Sequence, residues 1–169
     1  SRGILESADC LIWGIDRDPV AKIFGDSLAQ IFPGKVNVLN GLYGNMVELL
    51  RVFGVTSVDG VALDLGMSSM QVDEPKRGFS FFVDGPLDMR MGSCERSAAE
   101  VVNECAEKTL AEILYKYGEE KASRRIAKAR AKFGKQTLTQ STSDLVKIIE
   151  SVLKRTGKKH PATKTFQAI

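Results

Sequence analysis

Apolar and polar positions along the first 65 residues of the chain repeat with two different periods. Three short apolar or alternating runs predict strands, at residues 10–15, 35–39 and 58–63. Amphipathic segments predict the end of a helix at residues 2–7 and two further helices at 19–32 and 46–53. Strands that alternate with helices in this way favour βαβ units and a parallel sheet.

The pattern changes from about Ser97 onward, where only helical periodicity remains. Ser97 and Glu100 have the spacing of a capping box, which predicts the start of a helix. Three more helices are predicted, at residues 110–118, 119–132 and 139–153. The helix at 119–132 has its acidic residues first and its basic residues last, as the helix dipole favours. An all-helical subdomain is therefore expected after the α/β part.

Charge is divided unevenly along the chain. The net charge is +3, but residues 1–104 contain 9 basic and 15 acidic side chains, whereas residues 105–169 contain 15 and 6. The two parts therefore carry −6 and +9. A basic half beside an acidic one indicates a polyanionic partner such as nucleic acid, although a solvated helical surface explains the composition about equally well.

Length and cysteine content limit the class of protein. A chain of 169 residues with 43% hydrophobic content is long enough for one core with a small appended subdomain. Cys10, Cys94 and Cys105 lack metal-ligand spacing, so reduced structural thiols and no metal are expected. No apolar stretch approaches the roughly 18–20 residues that span a bilayer, and no secretion signal is recognisable. We expect an intracellular chain with no membrane partner.

Carboxylates follow two of the predicted strands. Asp16 ends the first strand, where doubly wound nucleotide-binding folds place a carboxylate that accepts hydrogen bonds from ribose hydroxyls. A helix N-cap is the competing explanation, which accounts fully for Asp18; for Asp16, the N-cap and the ribose contact have about equal weight. Asp64 ends the third strand, and Gly66 after it permits a close backbone approach.

A long loop rich in Gly, Pro and Asp follows Asp64. Gln71 supplies an amide that can both donate and accept hydrogen bonds, which suits recognition of a base or an amine. The strings RGFSF at 77–81 and DGPLDMR at 84–90 can support a flipped base by aromatic stacking. A structural explanation is equally open, in which Asp88 pairs with Arg90 and the phenylalanines fill the core.

His160 is the single histidine of the chain and lies in the string KHPATKTF. A lone histidine is more often a packed or surface residue than a general base. Its basic neighbours suit a phosphate contact better than proton transfer. There is no Walker loop, no zinc spacing and no Ser-His-Asp arrangement in the sequence.

Taken together, five strings resemble the S-adenosylmethionine-dependent cytosine-N4 methyltransferases of small-subunit ribosomal RNA, the MraW/RsmH family. These strings are GIDRDP at 14–19, LDLGMSSMQVDEPKRGFSF at 63–81, DGPLDMRM at 84–91, YGEE at 117–120 and HPATKTFQA at 160–168. The resemblance implies an α/β fold: a partial class I (Rossmann-like) methyltransferase sheet with an all-helical insertion subdomain. The implied domains are a partial methyltransferase core at 1–96, the helical insertion at 97–155 and a return to the core at 156–169.

The resemblance also implies roles for individual residues. Asp16 would bind the ribose of S-adenosyl-L-methionine, and Tyr43 would stack beside its adenine. Asp64 and Gln71 would line the pocket for the cofactor and the target amine, with Asp64 as the catalytic acceptor of the amine N–H. Further RNA contacts are expected from side chains of the loop and of the last motif, namely Arg77, Phe79, Arg90, His160 and Lys164.

The same resemblance implies that parts of the family fold are missing. A first strand with a Gly-Gly-His loop should precede residue 1, and a helix and later strands with a Ser-Phe-His-Ser segment should follow residue 169. Because the missing strand would lie between those ending at Asp16 and Asp64, unpaired backbone groups would remain, which is costly. We therefore expect that this chain alone neither binds the cofactor tightly nor methylates RNA.

Partners and compartment follow from the family. The expected partner is small-subunit ribosomal RNA or the assembling small ribosomal subunit, and a homodimer is a further option. Bacterial members are cytoplasmic and eukaryotic relatives mitochondrial; the string SSMQ at 68–71 favours the mitochondrial matrix. Two alternatives remain open: a non-catalytic RNA-binding or ribosome-assembly module, and a dinucleotide-dependent oxidoreductase, which lacks a G-x-G-x-x-G string here.

Overall fold

A computed structural model describes residues 1–92, 96–134, 137–155 and 159–169 of the chain. The chain divides into two compact units, Ser1–Leu65 and Gly66–Ile169. The two units are called the sheet unit and the helical unit below.

The sheet unit contains two parallel strands among its described residues, β1 (Ile12–Asp16) and β2 (Val36–Asn40). Its helices are α1 (Arg2–Ser7), α2 (Pro19–Ile31) and α3 (Met46–Arg51), with a 3-10 turn at Tyr43–Asn45. The strands pair in register from Ile12 with Val36 to Asp16 with Asn40. The predicted parallel βαβ unit is therefore confirmed, with α2 as its crossover helix.

Local signals set the start of α2. Asp18 is the N-cap, and its carboxylate accepts a hydrogen bond from the Val20 N–H at 3.1 Å. Pro19 follows at the first helical position, where its missing N–H costs nothing. The N-cap explanation for Asp18 is confirmed.

The third predicted strand, at residues 58–63, is wrong. This segment is irregular and pairs with no described part of the chain. Its apolar side chains point to solvent, with Val61 61% and Leu63 58% exposed. A strand forms only where a neighbouring strand satisfies its N–H and C=O groups, and none does so here. Asp64 consequently lies in an irregular segment and not at a strand end.

The helical unit contains helices and turns among its described residues. The helices are α4 (Ser69–Val72), α5 (Ala98–Glu104), α6 (Glu107–Gly118), α7 (Ser123–Phe133), α8 (Thr142–Val152) and α9 (Thr163–Ala168). The predicted capping box is confirmed, since the Glu100 carboxylate accepts from the Ser97 N–H at 2.7 Å and the Ser97 hydroxyl accepts from the Glu100 N–H.

The helix predicted at residues 119–132 begins later than expected. Residues 119–122 lie outside α7, which begins at Ser123. Glu119 adopts a left-handed conformation (φ 51°) that ends α6, and the Glu120 carboxylate accepts a hydrogen bond from the Ala122 N–H at 2.8 Å. The two acidic residues therefore form the turn before α7 and do not occupy its first turn.

A single apolar core holds the helical unit together. Its buried members come from α5 to α8, from both ends of α9 and from the loop before α5, and include Leu87, Val102, Leu114, Ile126 and Ile149. Leu87 is 1% exposed, which ties the loop at 84–90 to the helices. Burial of a large aliphatic side chain contributes about 1.5–3 kcal/mol, so the core anchors the loop firmly.

The cysteines, metal-site candidates and helix lengths of the described residues bear on the remaining expectations. Cys10 and Cys105 are free thiols, while Cys94 lies outside the described part of the chain. In the described ranges, no cluster of His, Cys, Asp and Glu has the form of a metal site. The helices of the described ranges are all too short or too polar to cross a membrane. The predicted domain limits at 96/97 and 155/156 stay a prediction.

Candidate functional site

In the sheet unit, candidate residues gather at the carboxyl ends of β1 and β2. Asp16 is the last residue of β1 and is exposed, and Asn40 lies directly beside it in register. One carboxylate oxygen of Asp16 accepts from the Asp18 N–H at 2.8 Å. The Asn40 amide donates to the carbonyl oxygens of Asp16 (3.2 Å) and Arg17 (3.1 Å). These bonds fix the strand ends and leave the Asp16 side chain at the surface.

Tyr43 and Asp64 are both exposed in the same unit. Tyr43 begins the 3-10 turn three residues after β2, and 53% of it is exposed. Its ring is therefore available for stacking near the strand end that carries Asp16. Asp64 is exposed in an irregular segment, without a strand to fix its direction.

In the helical unit, Gln71 is buried. It is 4% exposed, and its carboxamide oxygen accepts from the Ser68 N–H at 3.0 Å. This bond caps the short helix α4, so a structural role accounts for at least part of the Gln71 side chain. Ser68 is the N-cap of this helix.

The loop from Pro75 to Arg90 folds back on itself at two glycines. Gly78 has φ +72°, and a Cβ there would lie 2.1 Å from the Pro86 carbonyl oxygen. A Cβ at Gly85 would lie 2.1 Å from the Pro75 carbonyl oxygen. Only glycine permits such approaches. The backbone around residues 75–78 is therefore in direct contact with the backbone around residues 85–86.

Arg77 and Arg90 are held by this loop. The Arg77 guanidinium donates to the Arg90 carbonyl at 2.9 Å and lies 5.7 Å from the centre of the Phe79 ring. Arg90 pairs with Asp88 through two hydrogen bonds of 2.9 and 2.7 Å. Hydrogen bonds from Arg90 hold the pKa of Asp88 below its usual range. The structural explanation of the Asp88–Arg90 pair is confirmed.

Asp84 anchors the same loop to α8. Its carboxylate accepts from the Ser143 N–H at 3.1 Å, and hydrogen bonds from Ser143 keep the pKa of Asp84 below its usual range. The Gly85 carbonyl accepts from the Thr142 N–H at 2.9 Å. The loop therefore closes the N-terminal end of α8.

His160 packs into an aromatic cluster with Phe81, Phe82 and Phe166. Its ring stacks on Phe81 with centroids 4.8 Å apart, and Phe166 meets Phe81 edge-on at 5.2 Å. The Ala162 N–H donates to His160 Nδ1 at 3.1 Å, and Nε2 lies 3.5 Å from the Glu150 carboxylate. Phe81 is partly buried and packs against the apolar core, as the structural explanation expected, whereas Phe79 is not among the described residues of that core.

Lys164 has a capping role. Its ammonium group donates at 3.0 Å to the Glu119 carbonyl, just beyond the end of α6. A cation at a helix C-terminus is favoured by the helix dipole.

Sequence reasoning missed two polar arrangements. The Arg130 guanidinium donates to the Asn103 carbonyl (2.8 Å) and to its side-chain oxygen (2.7 Å), while the Asn103 amide donates to the Thr139 carbonyl at 2.7 Å. This network joins α5, α7 and the segment before α8. Asn40 was also missed, although its position at the end of the second predicted strand was a usable signal.

The strand-end arrangement has a recognisable chemistry. An acidic side chain at the carboxyl end of a parallel strand is typical of nucleotide-binding α/β proteins. The aromatic ring after the neighbouring strand is the one to which the resemblance in the sequence assigns adenine stacking. The carboxylate suits the hydroxyls of a ribose, and the ring suits a purine base.

Comparison with known proteins identifies the family. The chain belongs to the MraW methylase family, whose model matches residues 1–169. It is 49% identical to a protein of Rhodospirillum rubrum named ribosomal RNA small subunit methyltransferase H, over 100% of this chain and 52% of that protein. Proteins of the same name from Paramagnetospirillum magneticum and Anaplasma phagocytophilum are 48% and 46% identical, over 54% and 59% of their lengths.

The predicted family membership is therefore confirmed. The chain spans about half the length of the curated relatives it matches. The relatives named here are bacterial, so they give no support to the expected mitochondrial branch.

Proposed function

We propose that this chain carries part of the cofactor site and part of the substrate site of an S-adenosylmethionine-dependent methyltransferase that modifies N4 of a cytidine in small-subunit ribosomal RNA. The observation that carries this proposal is the exposed Asp16 and Tyr43 at adjoining strand ends, in a chain of the MraW methylase family. The names of the relatives support the substrate class.

The residues of the sheet unit fit the nucleoside part of the cofactor. Asp16 accepts hydrogen bonds from the ribose hydroxyls, and Tyr43 stacks against the adenine. The Asn40 bonds hold the backbone of Asp16 and Arg17 in place, which keeps the carboxylate at the strand end. In this proposal the sheet is a partial class I (Rossmann-like) sheet, and residues 97–155 are its helical insertion.

S-adenosylmethionine supplies an electrophilic methyl group when it is bound. The target amine of cytosine is a poor nucleophile because its lone pair is delocalised into the ring. Asp64 accepts an N–H hydrogen bond from that amine, which raises the electron density on nitrogen. Positioning of the amine provides the remaining rate enhancement, with effective molarities of up to about 10⁵–10⁸ M in favourable cases.

The loop from Pro75 to Arg90 forms one wall for the RNA. Its backbone closure at Gly78 and Gly85 and its anchor at Leu87 make it a rigid element. In this proposal Gln71 is a further contact of the cofactor or the target amine, while Arg77, Phe79 and Arg90 provide cationic and aromatic groups along the loop. His160 and Lys164 complete the RNA contacts of the proposal.

A bacterial cytoplasmic setting is favoured over the mitochondrial matrix by the organisms of the relatives. The partner in this proposal is small-subunit ribosomal RNA or the assembling subunit, and a homodimer stays a further option. Neither of these partners alters the test of the cofactor site, which needs only the chain and the small molecule.

Weak binding of S-adenosylmethionine to this chain is the first expected result. A nuclear magnetic resonance titration should give a Kd on the order of 1 mM or weaker, with the largest shifts at Asp16, Gly41 and Tyr43. Asp16→Asn should weaken binding by at least about tenfold, because a hydrogen bond to a charged group contributes about 1.5–3 kcal/mol. Asparagine keeps an oxygen that can accept from the Asp18 N–H.

Asp26→Asn is the matched control, since Asp26 is an exposed carboxylate on α2 that pairs with Lys22 at 2.9 Å. It should leave the titration unchanged. Tight binding by the unaltered chain would refute the expectation of weak binding. Shifts with a nicotinamide dinucleotide in place of S-adenosylmethionine would favour the oxidoreductase alternative.

The role of Asp64 needs a second assay. Any transfer of a labelled methyl group to small-subunit RNA should be lost in Asp64→Ala. A variant that binds the cofactor and methylates RNA normally would remove Asp64 from the mechanism.

A further inference from the structure

One helix of the helical unit carries an excess of positive charge. Residues 121–132 contain six Lys or Arg side chains and no acidic one. Arg124, Arg125, Lys128 and Lys132 are all exposed on α7. Among the residues that the structure describes, none of these four has a carboxylate within ion-pair distance. Their charge is therefore available to an external anion.

Helical spacing places three of these side chains in one row. At 100° per residue, Arg125, Lys128 and Lys132 lie within about 60° of one another around the helix, and they extend roughly 10 Å along its axis. Ile126 and Ala127 lie on the opposite side and are buried in the core. The row is thus a fixed surface feature of a well-packed helix.

The row borders a groove of about 580 Å³. Its lining comes from α6, α7 and the end of α8, and consists of Glu107, Arg125, Lys128, Ala129, Ala131, Lys132, Ser151 and Val152. The alanines leave space between the long basic side chains. The Arg125 guanidinium donates to the Val152 carbonyl at 2.7 Å, which orders this side chain at the groove edge.

The chemistry of the groove suits a chain of phosphates. Several cations in a row match a polyanion with regularly spaced charges, and a guanidinium suits phosphate geometry. A lipid surface is less suitable, because membrane-surface helices place large apolar side chains beside their basic residues. On α7, Ile126 and Ala127 are buried in the core, and the apolar side chains that this helix gives to the groove are small alanines.

We propose that the groove between α7 and the end of α8 binds the phosphate backbone of single-stranded RNA, through Arg125, Lys128 and Lys132. The choice of RNA rests on the proposed function, but binding here requires neither the cofactor nor the methyl-transfer residues. The groove is a second point of attachment, separate from the loop at residues 75–90.

Fluorescence anisotropy of a labelled single-stranded RNA oligonucleotide, titrated with the chain at several KCl concentrations and without cofactor, tests this proposal. Lys128→Gln combined with Lys132→Gln should reduce the slope of log K against log[KCl] by about 1.4, since each contact to a single strand contributes roughly 0.7. At about 0.1 M salt, this corresponds to a loss of affinity of about 25-fold.

Lys22→Gln combined with Lys147→Gln is the matched control. Both lysines are exposed on helices and already lie near a carboxylate, at 2.9 Å from Asp26 and 3.8 Å from Asp144. The control removes the same formal charge and should change affinity less than threefold. Equal losses in the two double variants would overturn the proposal, because binding would then follow net charge alone.

Glu107 provides a test in the opposite direction. It is the acidic residue of the groove lining, so Glu107→Gln should tighten RNA binding at least twofold and leave the fold intact. Unchanged or weaker RNA binding, or binding to anionic lipid vesicles in preference to RNA, would contradict the assignment. The Asp16→Asn variant should bind RNA as the unaltered chain does. The experiment can therefore refute the cofactor site and the RNA groove independently of each other.

Discussion

The sheet unit and the helical unit differ most in how they bury apolar side chains. Of the fifteen buried hydrophobic residues in the described parts of the chain, Leu5 and Val36 belong to the sheet unit and thirteen to the helical unit. Meanwhile, large apolar residues of the sheet unit remain exposed, such as Phe24 (58%) and Val52 (81%). The helical unit has a core of its own, whereas the sheet unit leaves much of its apolar surface uncovered.

This difference bears on function. A two-stranded parallel sheet is rare in isolation, since such sheets are normally covered on both faces. The candidate cofactor residues Asp16 and Tyr43 lie in this poorly covered sheet unit. A sheet with little packing holds its strand ends less firmly, so we expect weak cofactor binding from the same unit. The helical unit needs no such support for its proposed RNA groove.

The largest expected contrast is between two leucines, one in each unit. Leu114 is 1% exposed in the core of the helical unit, and Leu63 is 58% exposed in the sheet unit. Leu114→Ala should lower the free energy of unfolding by about 2–5 kcal/mol, because it removes buried atoms and leaves a cavity. Leu63→Ala should change it by less than about 0.5 kcal/mol.

Urea denaturation followed by two probes measures both effects. Helical circular dichroism reports mainly the helical unit, and the fluorescence of Trp13, the single tryptophan, reports the sheet unit. A large effect of Leu63→Ala would mean that residues 58–63 are buried in solution, and the contrast between the units would fail.

The second contrast uses two glycines with nearly equal φ. Gly78 (φ +72°) meets the Pro86 carbonyl, whereas Gly34 (φ +74°) has open space around the Cβ position. Gly34→Ala should cost about 1 kcal/mol for the left-handed backbone alone. Gly78→Ala should cost at least about 2–3 kcal/mol, because the loop must also move apart.

The same urea experiment, with the probe for each unit, compares the two variants. Equal losses in the free energy of unfolding would show that the loop at residues 75–90 moves apart easily. The loop would then not be a rigid wall. Gly34→Ala measures the cost of the left-handed backbone alone, and Gly78→Ala adds the cost of the clash with the Pro86 carbonyl.

Much of the fold was predictable, and the exceptions share a physical origin. The Ser97 capping box and the N-cap at Asp18 depend on neighbouring residues, so local patterns were sufficient. The βαβ unit was predictable because each of its two strands finds the other as its partner. The strand at residues 58–63 failed because a strand depends on a partner elsewhere in the chain. The start of α7 shifted because Glu119 and Glu120 serve a turn that competes with helix extension.

The sequence indicated which residues belong to the candidate site better than it indicated what each of them does. Asp16 lies at the end of β1, where the strand pattern indicated, whereas Tyr43 was implied by the family resemblance alone; both side chains are exposed. The Asn103–Arg130 network joins residues 27 positions apart, and no local signal announces such a contact. The roles of the candidate residues toward cofactor and RNA stay predictions.

The smallest expected effect concerns ion pairs, one in each unit. Arg90 keeps the pKa of Asp88 below its usual range, and Lys35 does the same for the fully exposed Asp9. A lowered pKa means that the stabilisation is present above the unfolded-state pKa and is lost as pH falls through the folded-state pKa, here below about pH 4.

Asp88→Asn should therefore lower the free energy of unfolding at pH 7, by at most about 1 kcal/mol given its partial exposure. It should also reduce the loss of stability below about pH 4. Asp9→Asn should have less effect, because water screens its pair. Urea midpoints between about pH 2.5 and 7 measure both variants, and a larger acid dependence from Asp9 would reverse the ranking of the two units.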